Sequence, residues 1–398
     1  MKMAQHNSPR GFTLIELMVA TSLGLIVILT MASMFRIGMN TTFTVTQRAE
    51  LQQNMRTAIE MMSQDISHAG AGLPTGGMQL ATAGVSNYAC NQSGTCYVQT
   101  HAYPNNVGTG IANYMYGILP GYGNGVQNGT AIPNASSARN DSMTVVYQDY
   151  TFPLSNFTFQ KVAGSNTQVT ATLNTCSTVC PTPGYPQDIL AAGGLNVGDV
   201  LFFYVSQSGT AAGNANAGTA QVQTAAVTAE ITGISGTYPG PWTITFATGD
   251  PLNMNQTTGT NTMASSFGAA GQMVVWRLNV VTYFIQVPPA GGTVQTPRLM
   301  RQVNGLNAVP VADGVLNLQF SYDVIDAFTG YLSANLPNPV ASGQSPGLIQ
   351  KVNIWIMGES LTSGAKKSQS MYLITSVAAR DMSFCNSYSY STTACAND

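Results

Sequence analysis

Residues 10–20, Arg10-Gly-Phe-Thr-Leu-Ile-Glu-Leu-Met-Val-Ala20, decide the fold. They open an apolar run that continues to Phe35 and holds a single charge, Glu16. Phe12 to Phe35 is 24 residues, about 36 Å as a helix, against a bilayer hydrocarbon layer of about 30 Å. The run is long enough to cross a membrane. Lys2 and Arg10 precede it and Arg36 closes it, a pattern that favours an amino end held in the cytoplasm. An ionised carboxylate inside such a run costs at least a few kcal/mol unless it is partnered, so Glu16 reads as a functional residue. A secretory signal peptide would instead have an apolar region of about 7 to 15 residues followed by a small-residue cleavage site.

Downstream, polarity rises but the helical period persists. Leu51, Met55, Ile59, Met62, Ile66 and Ala69 recur at steps of four and three, while Gln52, Arg56, Glu60 and Ser63 fall on other faces. Gly70, Gly72 and Pro74 supply the stop. The spacing predicts one rod from Phe12 to Ala69, about 87 Å long, whose second half packs an apolar stripe on a globular head. The Thr-rich run 41–47 is its weakest helical part and is expected to bend or melt locally. The division expected is a short basic segment at 1–11, a spanning segment at 12–35, an amphipathic continuation at 36–73 and a head at 74–398.

The head reads as β-rich. Candidate strands are Ser142 to Gln148, Val200 to Ser206, Thr224 to Ile231, Trp242 to Phe246, Met273 to Val287, Leu316 to Val324, Val352 to Met357 and Met371 to Val377. Leu316, Leu318, Phe320, Tyr322 and Val324 alternate, which implies one buried face. The segments 70–140, 208–218 and 254–271 read as too polar to build a core. A helix followed by strands gives an α+β class, a sheet laid on the amphipathic half of the rod.

Composition sets the compartment. Charged residues are 8% of the chain against a usual value of about 25%, and the net charge is −2. That gives no electrostatic footprint for nucleic acid. The six cysteines form three close pairs: Cys90 and Cys96, Cys176 and Cys180, Cys385 and Cys395. Six cysteines allow 15 connectivities, and local pairing is chosen on proximity. In an oxidising compartment each would staple a loop, worth about 2 to 4 kcal/mol or less. A zinc site would expect C-x-x-C pairs and more ligands than His68 and His101 provide. No cofactor or metal is expected. No G-x-S-x-G, H-E-x-x-H or phosphate-cradling motif points to catalysis.

The basic leader ending in Gly11, then Phe12, then Glu16 resembles the class III signal of type IV prepilins and pseudopilins. The resemblance implies a cut between Gly11 and Phe12 by the prepilin peptidase, N-methylation of Phe12, and a role for Glu16 in engaging the amino terminus of a neighbouring subunit during assembly. Asn54-Met-Arg56 and Asp65-Ile-Ser-His-Ala-Gly70 resemble the PilW group of minor pilins. So do Val275-Trp-Arg-Leu-Asn-Val-Val-Thr-Tyr-Phe284, Leu299-Met-Arg-Gln302, Gly314 to Tyr322, Val352-Asn-Ile-Trp-Ile356 and Thr375 to Arg380. Membership would imply a non-enzymatic subunit that primes pilus assembly and sits at the tip. Its partners would be other minor pilins, the major pilin and the inner-membrane assembly platform. Its head would stand in the periplasm before assembly and at the cell surface afterwards.

A minor pseudopilin of type II secretion shares the same leader and rod, and an anchored surface adhesin or enzyme is the reading from another class. Asp323 and Asp326 read as turn residues rather than calcium ligands. Tyr114, Tyr116, Tyr122, Tyr388 and Tyr390 lack basic neighbours and read as packing or subunit contacts.

Overall fold

One long α-helix, Leu14–Ser67, runs unbroken for 54 residues, about 81 Å. In this computed structural model the described residues are 11–74, 77–81, 87–90, 96–98, 114–122, 140–175, 182–208, 222–259, 262–263, 273–286, 296–325, 331–339, 346–360 and 369–382. The Thr-rich run does not melt. The Thr41 and Thr44 hydroxyls donate back to Ile37 O and Asn40 O at 2.9 Å, inside an uninterrupted helix. At the far end Gly70 and Gly72 take φ of +84° and +73°, conformations that cost a side chain, and the chain turns onto the sheet.

None of residues 11–50 is buried. From Leu51 onward one stripe sinks into the head: Leu51, Met55, Ala58, Met62, Ile66 and Ala69. Ile59, expected in the stripe, packs only at its edge. At about 1.5 to 3 kcal/mol for each large side chain, this stripe fixes the helix to the head.

Among the described residues all strand pairings are antiparallel. A seven-stranded central sheet runs Val222–Glu230, Val200–Ser208, Val274–Gln286, Arg298–Val303 and Val309–Asp313, with Ser142–Asp149 paired to Val274–Gln286 and Ile118–Gly121 paired to Ser142–Asp149. A C-terminal sheet has the order Leu332–Leu336, Val315–Ile325, Ile349–Glu359, Ser370–Ala378. A distal sheet has the order Gly233–Ser235, Trp242–Thr245, Gln168–Leu173, Phe157–Lys161. The α+β class is as expected. The eight expected strands are present, with no end shifted by more than three residues.

The main core lies where the helix meets the central and C-terminal sheets. Val281, Tyr283 and Ile285 point into it from one face of the central strand, and Leu318, Phe320, Tyr322, Ile354 and Ile356 from the C-terminal sheet. Leu278 and Val280 point the other way, into a second cluster with Met78, Leu80, Met115, Leu119, Phe202, Leu252 and Met254. Their strand is therefore buried on both faces, which explains its nearly continuous apolar sequence. The second cluster corrects the reading of 70–140 and 254–271 as coreless: scattered methionines and leucines from polar segments cap the outer face of the sheet. Tyr116 is buried there too, which makes it packing. A third, aromatic cluster around Trp242, Phe157, Phe159, Phe203 and Phe246 fills the distal sheet.

Candidate functional site

The two ends of the helix carry the polar chemistry. At the first, Gly11 and Phe12 precede the helix in non-helical backbone, and Phe12 is 79% exposed. Thr13 is the N-cap. Its hydroxyl accepts from Glu16 N–H (3.4 Å), and the Glu16 carboxylate accepts from Thr13 N–H (3.3 Å) and from the Thr13 hydroxyl (3.2 Å). This reciprocal capping box starts the helix two residues later than the sequence suggested. A negative charge in the first turn also complements the helix dipole. The Gly11–Phe12 bond is thus accessible, and Glu16 is held on the turn that follows it.

The apolar surface above this turn has no cover within the molecule. Leu14 to Phe35 present large exposed side chains, and the pattern continues past Arg36 with Ile37, Met39, Phe43 and Val45, each more than half exposed. The helix holds a stretch long and apolar enough to cross a membrane. A bilayer of about 30 Å covers only some 20 residues of it, so the surface from Ile37 to Val45 needs a further apolar neighbour.

At the other end Asp65 is buried on the apolar stripe, where a charge is least expected. Its carboxylate accepts from the Tyr147 hydroxyl (2.8 Å), the Tyr283 hydroxyl (2.5 Å), Arg301 Nε (2.9 Å) and Arg301 Nη2 (3.3 Å). The three donors come from Ser142–Asp149, Val274–Gln286 and Arg298–Val303, all of the central sheet. Burial, then the Asp65 charge and hydrogen bond, push both tyrosines above the usual phenol range, so they remain donors. Burial alone would lower the Arg301 pKa, but the Asp65 bond and charge raise it, and the guanidinium stays charged. Beside this node Gly70 N–H donates to Val146 O (2.9 Å) and Gln148 N–H donates to Ala71 O (2.8 Å), so the helix end is stitched to the sheet through its backbone as well.

Sequence reasoning missed the node, yet its signals were present. Asp65 lies three residues after Met62 and one before Ile66, a charge in apolar register. Asp65, Tyr283 and Arg301 each fall in a different segment of the resemblance drawn above, and those segments converge here.

The remaining expected residues are spread through the head. Cys90 and Cys96 are Cα partners across the hairpin Asn87–Cys90 and Cys96–Val98, in strands where none was expected. Cys176, Cys180, Cys385 and Cys395 lie outside the described residues, as do Asp326, Tyr388 and Tyr390. Asp323 bonds Lys351 Nζ (2.5 Å), Asn335 N–H (2.8 Å) and Asn353 Nδ2 (3.1 Å). Burial raises its pKa, but these donors and the Lys351 charge outweigh it and leave a net lowering. Arg277 is enclosed by Asp149 (2.8 Å), Asp199 (3.5 Å) and Gly194 O (2.9 Å). Among the described residues no group of three His, Cys, Asp or Glu side chains is placed to hold a metal ion.

No curated protein and no solved structure matches the chain. Residues 6–32, which run into the first third of the helix and include Gly11, Phe12 and Glu16, match the family model of the prokaryotic N-terminal methylation motif, the leader of class III prepilins.

Proposed function

We propose that the chain is a minor pilin that primes type IV pilus assembly and stands in the tip complex. The observation that carries the reading is the division of the helix at Leu51: before it an exposed apolar rod opening with the methylation motif, after it a buried stripe fixed to a large head. Such a rod needs a bilayer while the subunit waits and other helices once it is assembled. A head of more than 300 residues fits a position with no subunit above it better than a dense shaft lattice. The PilW group is the minor pilin type it resembles, and no catalytic role is part of the reading.

In this reading the prepilin peptidase cuts between Gly11 and Phe12, Phe12 is methylated, and Glu16 leaves its capping box to meet the amino terminus of a neighbouring subunit. Two opposite charges in a low-dielectric layer attract strongly, and either one left alone is costly. Cys90 with Cys96, Cys176 with Cys180 and Cys385 with Cys395 form disulfides in the periplasm.

Mass spectrometry of the chain from membranes and from sheared filaments, with and without reduction, tests the reading. The expected chain starts at N-methyl-Phe12, carries three disulfides and occurs at trace level in the filament fraction. A chain that starts at Met1, or is cut beyond Phe35, overturns the proposal. Glu16→Ala should insert normally and yet crosslink poorly to the other minor pilins; undiminished crosslinking would remove the assembly role given to Glu16.

A further inference from the structure

On the sheet face opposite the helix, two acids are buried against each other with no cation paired to either among the described residues. Glu230 ends the strand Val222–Glu230 and is 1% exposed; Asp250, in the loop that follows the distal sheet, is 5% exposed. Both are tied to the same short loop, and two carboxyls packed together out of water do not both stay ionised, so one of them holds a proton. Asp250 accepts two backbone N–H groups, Met254 at 2.6 Å and Asn255 at 3.0 Å, the environment of a carboxylate. Glu230 accepts Leu252 N–H at 3.2 Å and is the partner that carries the proton. Asn255 completes the knot: its Oδ1 accepts Glu230 N–H (2.8 Å), and its Nδ2 donates to Glu230 O (2.7 Å) and Ala247 O (2.9 Å).

The loop 247–256 is therefore tied down at its middle by these two side chains, and it presses Leu252 and Met254 into the cluster that covers the outer face of the central sheet. The elements around the pair offer little other charge. Strand Val222–Glu230 and the loop contribute none beyond the pair itself. Asp199, just before the neighbouring strand, is engaged by Arg277 and by Asn196 N–H, Tyr204 lies against Trp276, and Tyr116 sits in the outer cluster. Ala247, Thr248 and Gly249 are exposed, so water reaches the rim of the loop.

We propose that the Glu230–Asp250 pair is a proton-held latch, in which one shared proton keeps the loop 247–256 closed over the central sheet and its loss opens the loop. The device is independent of the pilus reading. Burial first, and the Asp250 charge and hydrogen bond next, raise the Glu230 pKa from 4.5 to about 8, and burial raises Asp250 as well. The closed loop binds more protons than the open one between those two values. Closure is therefore fully favoured below about pH 4.5, weakens as pH rises, and has lost this contribution by about pH 8.

Hydrogen exchange of the full chain in detergent micelles, followed from pH 5 to 9 and corrected for intrinsic exchange, reads the latch directly. The amides of Leu252, Met254 and Asn255 are the ones the two carboxyls hold. Their opening constant should rise about tenfold per pH unit, on the order of a thousandfold up to pH 8, and then level off. Amides of Ala58 to Ile66 in the helix should not follow, and Glu230→Gln should flatten the loop profile. A flat wild-type profile, loop and helix amides that move together, or an unchanged slope in a folded Glu230→Gln protein would each overturn the latch.

Discussion

Asp65→Ala removes the one acceptor shared by four hydrogen bonds from three strands, and the loss can be worked out donor by donor. The Tyr283 residue is fully buried, so its orphaned hydroxyl costs about 1 to 3 kcal/mol. The Arg301 side chain is 23% exposed and can turn partly to water, which softens its loss. Tyr147 lies at the rim and does the same. The sum falls in the range of about 3 to 5 kcal/mol seen when a buried ion pair is broken from one side. Asp65→Asn keeps one acceptor oxygen and should cost roughly half as much. Tyr283→Phe should destabilise the native chain by about 1 to 2 kcal/mol but be neutral or stabilising beside Asp65→Ala, because it then deletes an orphan. Urea unfolding of the full chain in micelles, followed by tryptophan fluorescence, measures all four proteins. An Asp65→Ala chain within about 1 kcal/mol of its parent, or a Tyr283→Phe cost that is the same in both backgrounds, would refute the node as the polar tie between rod and head.

Gly117→Ala should destabilise by at least about 1 to 3 kcal/mol, because its Cβ would stand 2.5 Å from Gly70 N and 2.6 Å from Gly70 Cα, backbone that cannot yield. Gly164→Ala, at φ +77° but with open space around it, should cost only about 1 kcal/mol, and thermal melts that rank the two the other way would contradict the close approach. Arg277→Leu leaves Asp149 and Asp199 facing one another and should cost about 3 to 5 kcal/mol at pH 7. Burial already raises the Asp199 pKa, so protonation at pH 5 should recover part of that loss; equal losses at pH 5 and pH 7 in urea titrations would speak against an unpaired charge.

How far the fold could be read from the sequence followed the physics of each element. The helix was legible because two patterns follow one another in it: an apolar run to Phe35, then a stripe of helical period that begins at Leu51. The long strands were legible where β-branched and aromatic residues alternate, as in Val315–Ile325. Arg298–Val303 was not, because Arg298 and Arg301 interrupt it, and the structure shows why they are there: Arg298 pairs with Asp313 and Arg301 with Asp65. Met78, Leu80 and Met115 gave no signal because their apolar stretches are only a few residues long, within a Gly- and Asn-rich region, and join a core only through contacts distant in sequence. The expected local melting at Thr41 to Gln47 rested on intrinsic propensity, which back-bonded hydroxyls and an apolar stretch on either side override. At the site, Gly11, Phe12 and Glu16 could be read from spacing along one turn. Asp65 could not be given a role, since its partners lie 82, 218 and 236 positions away.

Those separations impose an order on synthesis. The helix emerges first and can enter a membrane at once, but Asp65 has no full set of partners until Arg301 has been made. The stripe from Leu51 to Ala69 also waits for Ile354 and Ile356 near the end of the chain. A chain interrupted before its last third therefore leaves a methionine-rich helix face and a carboxylate open to quality control, while a completed chain closes over both. The joint between rod and head therefore forms only once the strands that carry Arg301, Ile354 and Ile356 have been made.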